Sequence, residues 1–84
     1  MNKIIIDLKK YSTKPLLLSF LMTQIEGMFA PNYDALIDAL AFYETPLEME
    51  LKYLNSYENK KELLEVLDII KKENIRITFQ KSLQ

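Results

Sequence analysis

The chain has 84 residues, 49% of them hydrophobic and 27% charged, with a single glycine; this allows one folded domain over 1–84 and excludes a second domain or a low-complexity chain. It contains neither cysteine nor histidine, which removes disulfides, thiol nucleophiles, cysteine or histidine metal sites and the usual general base near neutral pH. With 11 basic and 12 acidic side chains the formal net charge is -1, so no global attraction to nucleic acid exists and any charge-based function rests on local patches.

Ile4-Ile5-Ile6 is a continuous β-branched run between Lys3 and Asp7, the pattern of a short strand buried on both faces at the centre of a parallel sheet. Residues 1–10 offer only this short run before charge, so they form neither a signal segment nor a membrane span, and a cytoplasmic protein is expected. Ser12 or Thr13 can cap a helix, Pro15 suits an early helical position, and Leu18, Leu21, Met22 and Ile25 recur at helical spacing until Gly27. This predicts a first helix over roughly 15–26. Met28-Phe29-Ala30-Pro31 breaks the path, and Asn32 caps a second helix with Leu36, Ala39, Leu40 and Tyr43 on its inner face.

After Pro46, Leu47-Glu48-Met49-Glu50-Leu51-Lys52 alternates apolar with charged side chains, which predicts a strand with one face in water, placed at the edge of the sheet. Asn59 and Glu62 have capping-box spacing before the stripe Leu63, Val66, Leu67 and Ile70, and Lys71-Lys72 marks the end of this third helix. Ile75-Arg76-Ile77-Thr78-Phe79-Gln80 reads as a final strand. The order β-α-α-β-α-β, with helical crossovers, predicts an α/β fold: a three-stranded parallel sheet with helices mainly on one face.

The stretch with chemical content is the second helix, where Leu36 and Leu40 point inward and Asp34 and Asp38 stand one turn apart on another face. Asp34 lies in the first turn and gains from the helix dipole, but Asp38 lies further in, where a like-charge i, i+4 pair costs a few tenths of a kcal/mol. A solvated amphipathic face would account for the acids alone. Tyr33, Ile37, Ala41 and Phe42 cannot all join Leu36 and Leu40 in the core, however, so apolar surface is expected beside the acids, as at protein interfaces.

Asn32-Tyr33-Asp34-Ala35-Leu36-Ile37-Asp38-Ala39-Leu40 is similar to the N-L-D-A-L-W-D-C-L of the barstar family, protein inhibitors of barnase-type ribonucleases. Pro46-Leu47 and Val66 to Phe79 resemble the family's next strand and its last helix and strand, so the likeness spans nearly the whole chain. It implies a barstar-like fold whose second helix plugs a ribonuclease active site, with carboxylates imitating the phosphates of RNA. By position it makes Asp34 and Asp38 those carboxylates, with Met28, Tyr33 and Ile37 as contacts beside them and Phe42 or Tyr43 near a further aromatic contact. Glu44 falls near a further acid of the family. Two features depart from the pattern: Ile69 stands where the family has an acid, and the segment from Leu51 to Asn59 is short for the family's extra small helix.

An enzymatic role would require Asp34 and Asp38 to form an acid–base pair or a divalent-metal site with Glu44 as a third ligand. Two carboxylates on an exposed helix face lack the enclosed pocket such a site needs, so no catalytic residue, metal or cofactor is expected. The clusters Lys9-Lys10-Lys14 and Lys60-Lys61, near Tyr11 and Tyr57, are short and flanked by acids, and solvated helix ends explain them more simply than nucleic-acid binding. Met22 and Met49 read as core filling and Met28 as a contact. Glu48, Glu50 and Lys52 oppose strand addition, so a monomer is expected in the free state. The expected partner is a ribonuclease toxin, bound one to one; the alternative is a barstar-fold interaction module whose partner is not a ribonuclease.

Overall fold

The computed structural model describes residues 2–84; Met1, included in the single-domain expectation, lies outside the described residues. Strand β1 (Asn2–Asp7) is followed by helices α1 (Lys14–Gln24) and α2 (Tyr33–Ala41), strand β2 (Leu47–Lys52), helix α3 (Lys60–Glu73) and strand β3 (Ile77–Lys81), with one 3-10 turn at Leu54–Ser56 between β2 and α3. The three strands form one parallel sheet in the order β1-β2-β3. The α/β class, the element order and the parallel sheet are those the sequence predicts.

Alternation along each strand divides the sheet into two faces. Ile4, Ile6, Leu47, Met49, Leu51 and Ile77 are buried beneath the helices in one continuous core with Leu17, Leu18 and Leu21 of α1, Leu36 and Leu40 of α2, and Leu63, Val66, Leu67 and Ile70 of α3. The opposite face carries Lys3, Ile5, Glu48, Glu50, Lys52, Thr78 and Gln80, none of them buried. There the Lys3 ammonium lies 3.1 Å from Glu50 and 3.9 Å from Glu48, and Lys52 lies 3.8 Å from Glu50.

This arrangement reverses two placements expected from sequence. β2 is the central strand, paired along its length on both sides, and β1 is an edge. Charged side chains alternating along β2 report an uncovered sheet face; they say nothing about whether the backbone has neighbours on both sides. The three isoleucines of β1 are not shielded on both faces either, since Ile5 is 53% exposed on the open face, paired in register with Glu50. The final strand also starts later than predicted, because Ile75 is exposed and the turn Asn74–Ile77 closes before it.

The helix ends follow local chemistry. Thr13 is extended and its hydroxyl accepts from the Leu16 N–H, Asn32 accepts from the Ala35 N–H at 2.8 Å, and Asn59 accepts from the Glu62 N–H at 3.2 Å. Past α1, Gly27 takes the left-handed conformation (φ 77) that a residue without Cβ adopts freely. Leu17 joins Leu18 and Leu21 as a buried residue of α1, while Met22, partly buried, packs against the same core.

Candidate functional site

Pro31 and the Asn32 cap start α2 at Tyr33, and the helix then buries Tyr33, Leu36 and Leu40 along one stripe. Tyr33, a partner contact in the sequence reading, is therefore turned into the core of this chain. It is the first residue of an inward i, i+3, i+7 row, 8% exposed, and its hydroxyl is 2.7 Å from that of Tyr57. Burial is the first cause that raises both phenols above their ordinary value of 10.0, with their mutual hydrogen bond adding to the rise at Tyr57 and opposing it at Tyr33. The pair stays neutral and ties the start of α2 to the turn before α3. Lys14 covers the Tyr33 ring at 4.9 Å and reaches Glu62 at 3.5 Å.

The other end of α2 is held by a residue the sequence reading passes over. Asn74, at the end of α3, is the one buried polar side chain among the described residues. It donates to the carbonyls of Leu40 at 2.9 Å and Tyr43 at 2.8 Å, and accepts from the Arg76 N–H at 3.0 Å. Both ends of α2 thus rest on α3 or the turn leading into it, and α2 turns a fixed face to solvent.

On that face Asp34 and Asp38 are exposed. Among the described residues no cationic group lies within 4.0 Å of either carboxylate, whereas Glu48, Glu50 and Glu62 all have partners. Ile37 is partly buried, Phe42 is 82% exposed just after the helix, and Glu44 is exposed in the connection to β2.

Between the α1–α2 loop and the second half of α2 lies an open cleft of about 610 Å³, whose lining includes Glu26, Met28, Phe29, Asp38, Phe42 and Tyr43. Of the expected site residues it brings together Met28, Asp38 and Phe42; Asp34, Ile37 and Glu44 are not part of its lining. Phe29, 75% exposed at its rim, is absent from the sequence expectation. In that loop the small Ala30 packs inward with no exposure while the larger Phe29 is turned out, so residue type gave no signal for it.

Charge along the chain sharpens the picture. Between Lys14 and Lys52 there are six carboxylates, Glu26, Asp34, Asp38, Glu44, Glu48 and Glu50, and no lysine or arginine. Two of them, Glu48 and Glu50, are compensated across the open sheet face, leaving the α1–α2 loop, α2 and the connection to β2 as the uncompensated acidic region. Among the described residues no group of three or more acidic side chains converges as a metal site would, and no helix is long and apolar enough to cross a membrane. The geometry can present negative charge beside aromatic surface to an incoming positive one. No family model matches the chain, and a comparison with curated proteins finds no match either.

Proposed function

We propose that this protein inhibits a ribonuclease by inserting the face of α2 into the nuclease's active-site cleft, as an intracellular immunity protein of a ribonuclease toxin and without catalysis of its own. One observation carries the reading: Asp34 and Asp38 stand exposed and uncompensated, one turn apart, on a helix flanked by Phe42 and Ile37. A ribonuclease active site is a basic cleft built for phosphates, so two carboxylates at helical spacing suit it electrostatically and form charge-assisted hydrogen bonds once water is expelled. The resemblance of 32–40 to the barstar family supports the same assignment. Ile37, Met28 and Phe42 supply the apolar contact around the charges, Glu44 adds a further acid, and Tyr33 acts from within by fixing the helix.

The test is co-expression with the product of the neighbouring gene and with a barnase-type ribonuclease, followed by RNA-cleavage assays across increasing amounts of this protein. Loss of cleavage that is complete at one equivalent, and restored in the Asp34→Asn, Asp38→Asn double variant, is the expected result. Full cleavage at excess inhibitor rejects the assignment for that nuclease. A stable complex with a protein lacking nuclease activity makes the chain an interaction module of another kind.

A further inference from the structure

We infer that β1 pairs antiparallel with β1 of a second copy of this chain, in the register that sets Ile5 against Ile5 and Lys3 against Asp7, so that two sheets join into one. The inference is independent of the reading of α2 and uses none of its residues. The expectation of a monomer rests on Glu48, Glu50 and Lys52 guarding an edge, yet these stand on the central strand. The edge on that side is β1, and its stretch Lys3-Ile4-Ile5-Ile6-Asp7 has no proline to block an added strand.

The Leu8 N–H donates to the Lys52 carbonyl at 3.0 Å, just beyond the paired residues Asp7 and Lys52. Main-chain groups alternate in direction along a strand, so Ile4, Ile6 and Leu8 turn theirs to β2, while Lys3, Ile5 and Asp7 turn theirs to the free edge. The Asp7 carbonyl accepts from the N–H groups of Lys10 and Tyr11. That leaves the carbonyls of Lys3 and Ile5 and the N–H groups of Ile5 and Asp7 for a second strand. In an antiparallel copy centred on Ile5, the two Ile5 residues exchange a pair of hydrogen bonds, and each Asp7 N–H reaches the other copy's Lys3 carbonyl.

Charge selects this register. On the open sheet face Lys52 is paired with Asp7, and Lys3 with Glu48. Joined across the edge, they form a row of Lys52, Asp7, the second copy's Lys3 and its Glu48, alternating in sign at every step, and two-fold symmetry repeats the row. Neither group is used up within the chain. One oxygen of Asp7 accepts from the Lys9 N–H at 2.9 Å, and the Lys3 ammonium, 3.1 Å from Glu50, has further N–H donors. The row between covers Ile5, now 53% exposed, with its own copy, and on the helix side Ile4 lies opposite the second copy's Ile6. A register shifted by two residues puts Ile5 against Lys3 or Asp7 and loses the charge pairs. β3, the other edge, turns Thr78 and Gln80 to this face and has no charges there to fix a register.

So short a ladder makes a weak dimer, and the test spans concentration accordingly. Sedimentation equilibrium of the unaltered chain from about 0.01 to 1 mM should show the mass rising toward twice that of one chain. Over the same range hydrogen exchange should slow at the Ile5 N–H, while the Ile4 and Ile6 amides stay protected throughout. Asp7→Lys and Lys3→Asp should each weaken self-association by about tenfold or more. An equimolar mixture of the two variants should restore association as a heterodimer, because every charge then faces its opposite. The exchange measurement needs no substitution and decides the matter even where a variant unfolds. A mass that stays at one chain up to about 1 mM overturns the proposal. Exchange at Ile5 that ignores concentration overturns it too, as does a mixture of folded variants that associates no better than either alone.

Discussion

Asn74 holds the end of α2 by donating both amide hydrogens, to the carbonyls of Leu40 and Tyr43, while its oxygen accepts from the Arg76 N–H. In Asn74→Asp both donors become acceptors facing the carbonyls of Leu40 and Tyr43, and the expected cost at neutral pH is about 2–4 kcal/mol, read by denaturant unfolding. Burial raises the introduced carboxyl's folded pKa above its unfolded value, so the defect is complete at neutral pH and shrinks as pH falls through the folded pKa. The tyrosine pair works in the alkaline direction. Both phenols are raised in the folded state, so the stability they contribute is present below pH 10.0 and is lost as pH rises past it, when only the unfolded phenols ionise. Tyr57→Phe should cost about 1–2 kcal/mol at pH 7 and make the alkaline loss less steep; an unchanged alkaline limb would show that the pair does not govern it. Neither role was legible in the residues themselves. Asn74 reads as a loop polar residue, and its partners lie 34 and 31 positions away.

For the elements, strand order is the sharpest matter. Ile4 is 6% exposed toward the helices and Ile5 is 53% exposed on the open face, so Ile4→Ala should cost about 2–4 kcal/mol and Ile5→Ala under about 1 kcal/mol in the same unfolding experiment. A first strand shielded on both faces would make the two substitutions equally costly. On α2 the acids differ in position: Asp34 sits in the first turn with the helix dipole in its favour, whereas Asp38 is one turn further on. Asp38→Asn should therefore leave stability unchanged or raise it by a few tenths of a kcal/mol while weakening partner binding, measured by thermal unfolding and by titration against the nuclease. Loss of the fold would mean that Asp38 serves stability rather than recognition.

The whole molecule, with a radius of gyration of 11.6 Å, matches the roughly 12 Å of a close-packed chain of this length. Its near-zero net charge conceals a segregation: the stretch from Pro15 to Leu51 holds six acids and no cation, and all 11 basic residues lie outside it. A local field of this kind steers a basic partner even where net charge does not. Association with a ribonuclease should accordingly slow by roughly tenfold or more as ionic strength rises from about 0.01 to 0.5 M, with a much smaller change in dissociation, as stopped-flow mixing would show. A rate independent of salt would remove electrostatic steering from the account.

Sequence by itself determined the elements, the helix caps at Asn32 and Asn59 and, as one of two choices, at Thr13, most of each stripe that faces the core, and the acid pair on α2, because each depends on neighbours within one or two turns of the chain. The parallel sheet also followed, since helical crossovers join its strands. Tertiary structure alone decided which strand is central, because alternation reports the wetting of a face and not the pairing of a backbone. It alone turned Tyr33 inward to Tyr57, recruited Asn74 to the end of α2, and set Phe29 beside Asp38 and Phe42 around one cleft. Those outcomes join residues far apart along the chain, and a periodic pattern carries no information about which distant partner completes a hydrogen bond or the opposite wall of a cleft.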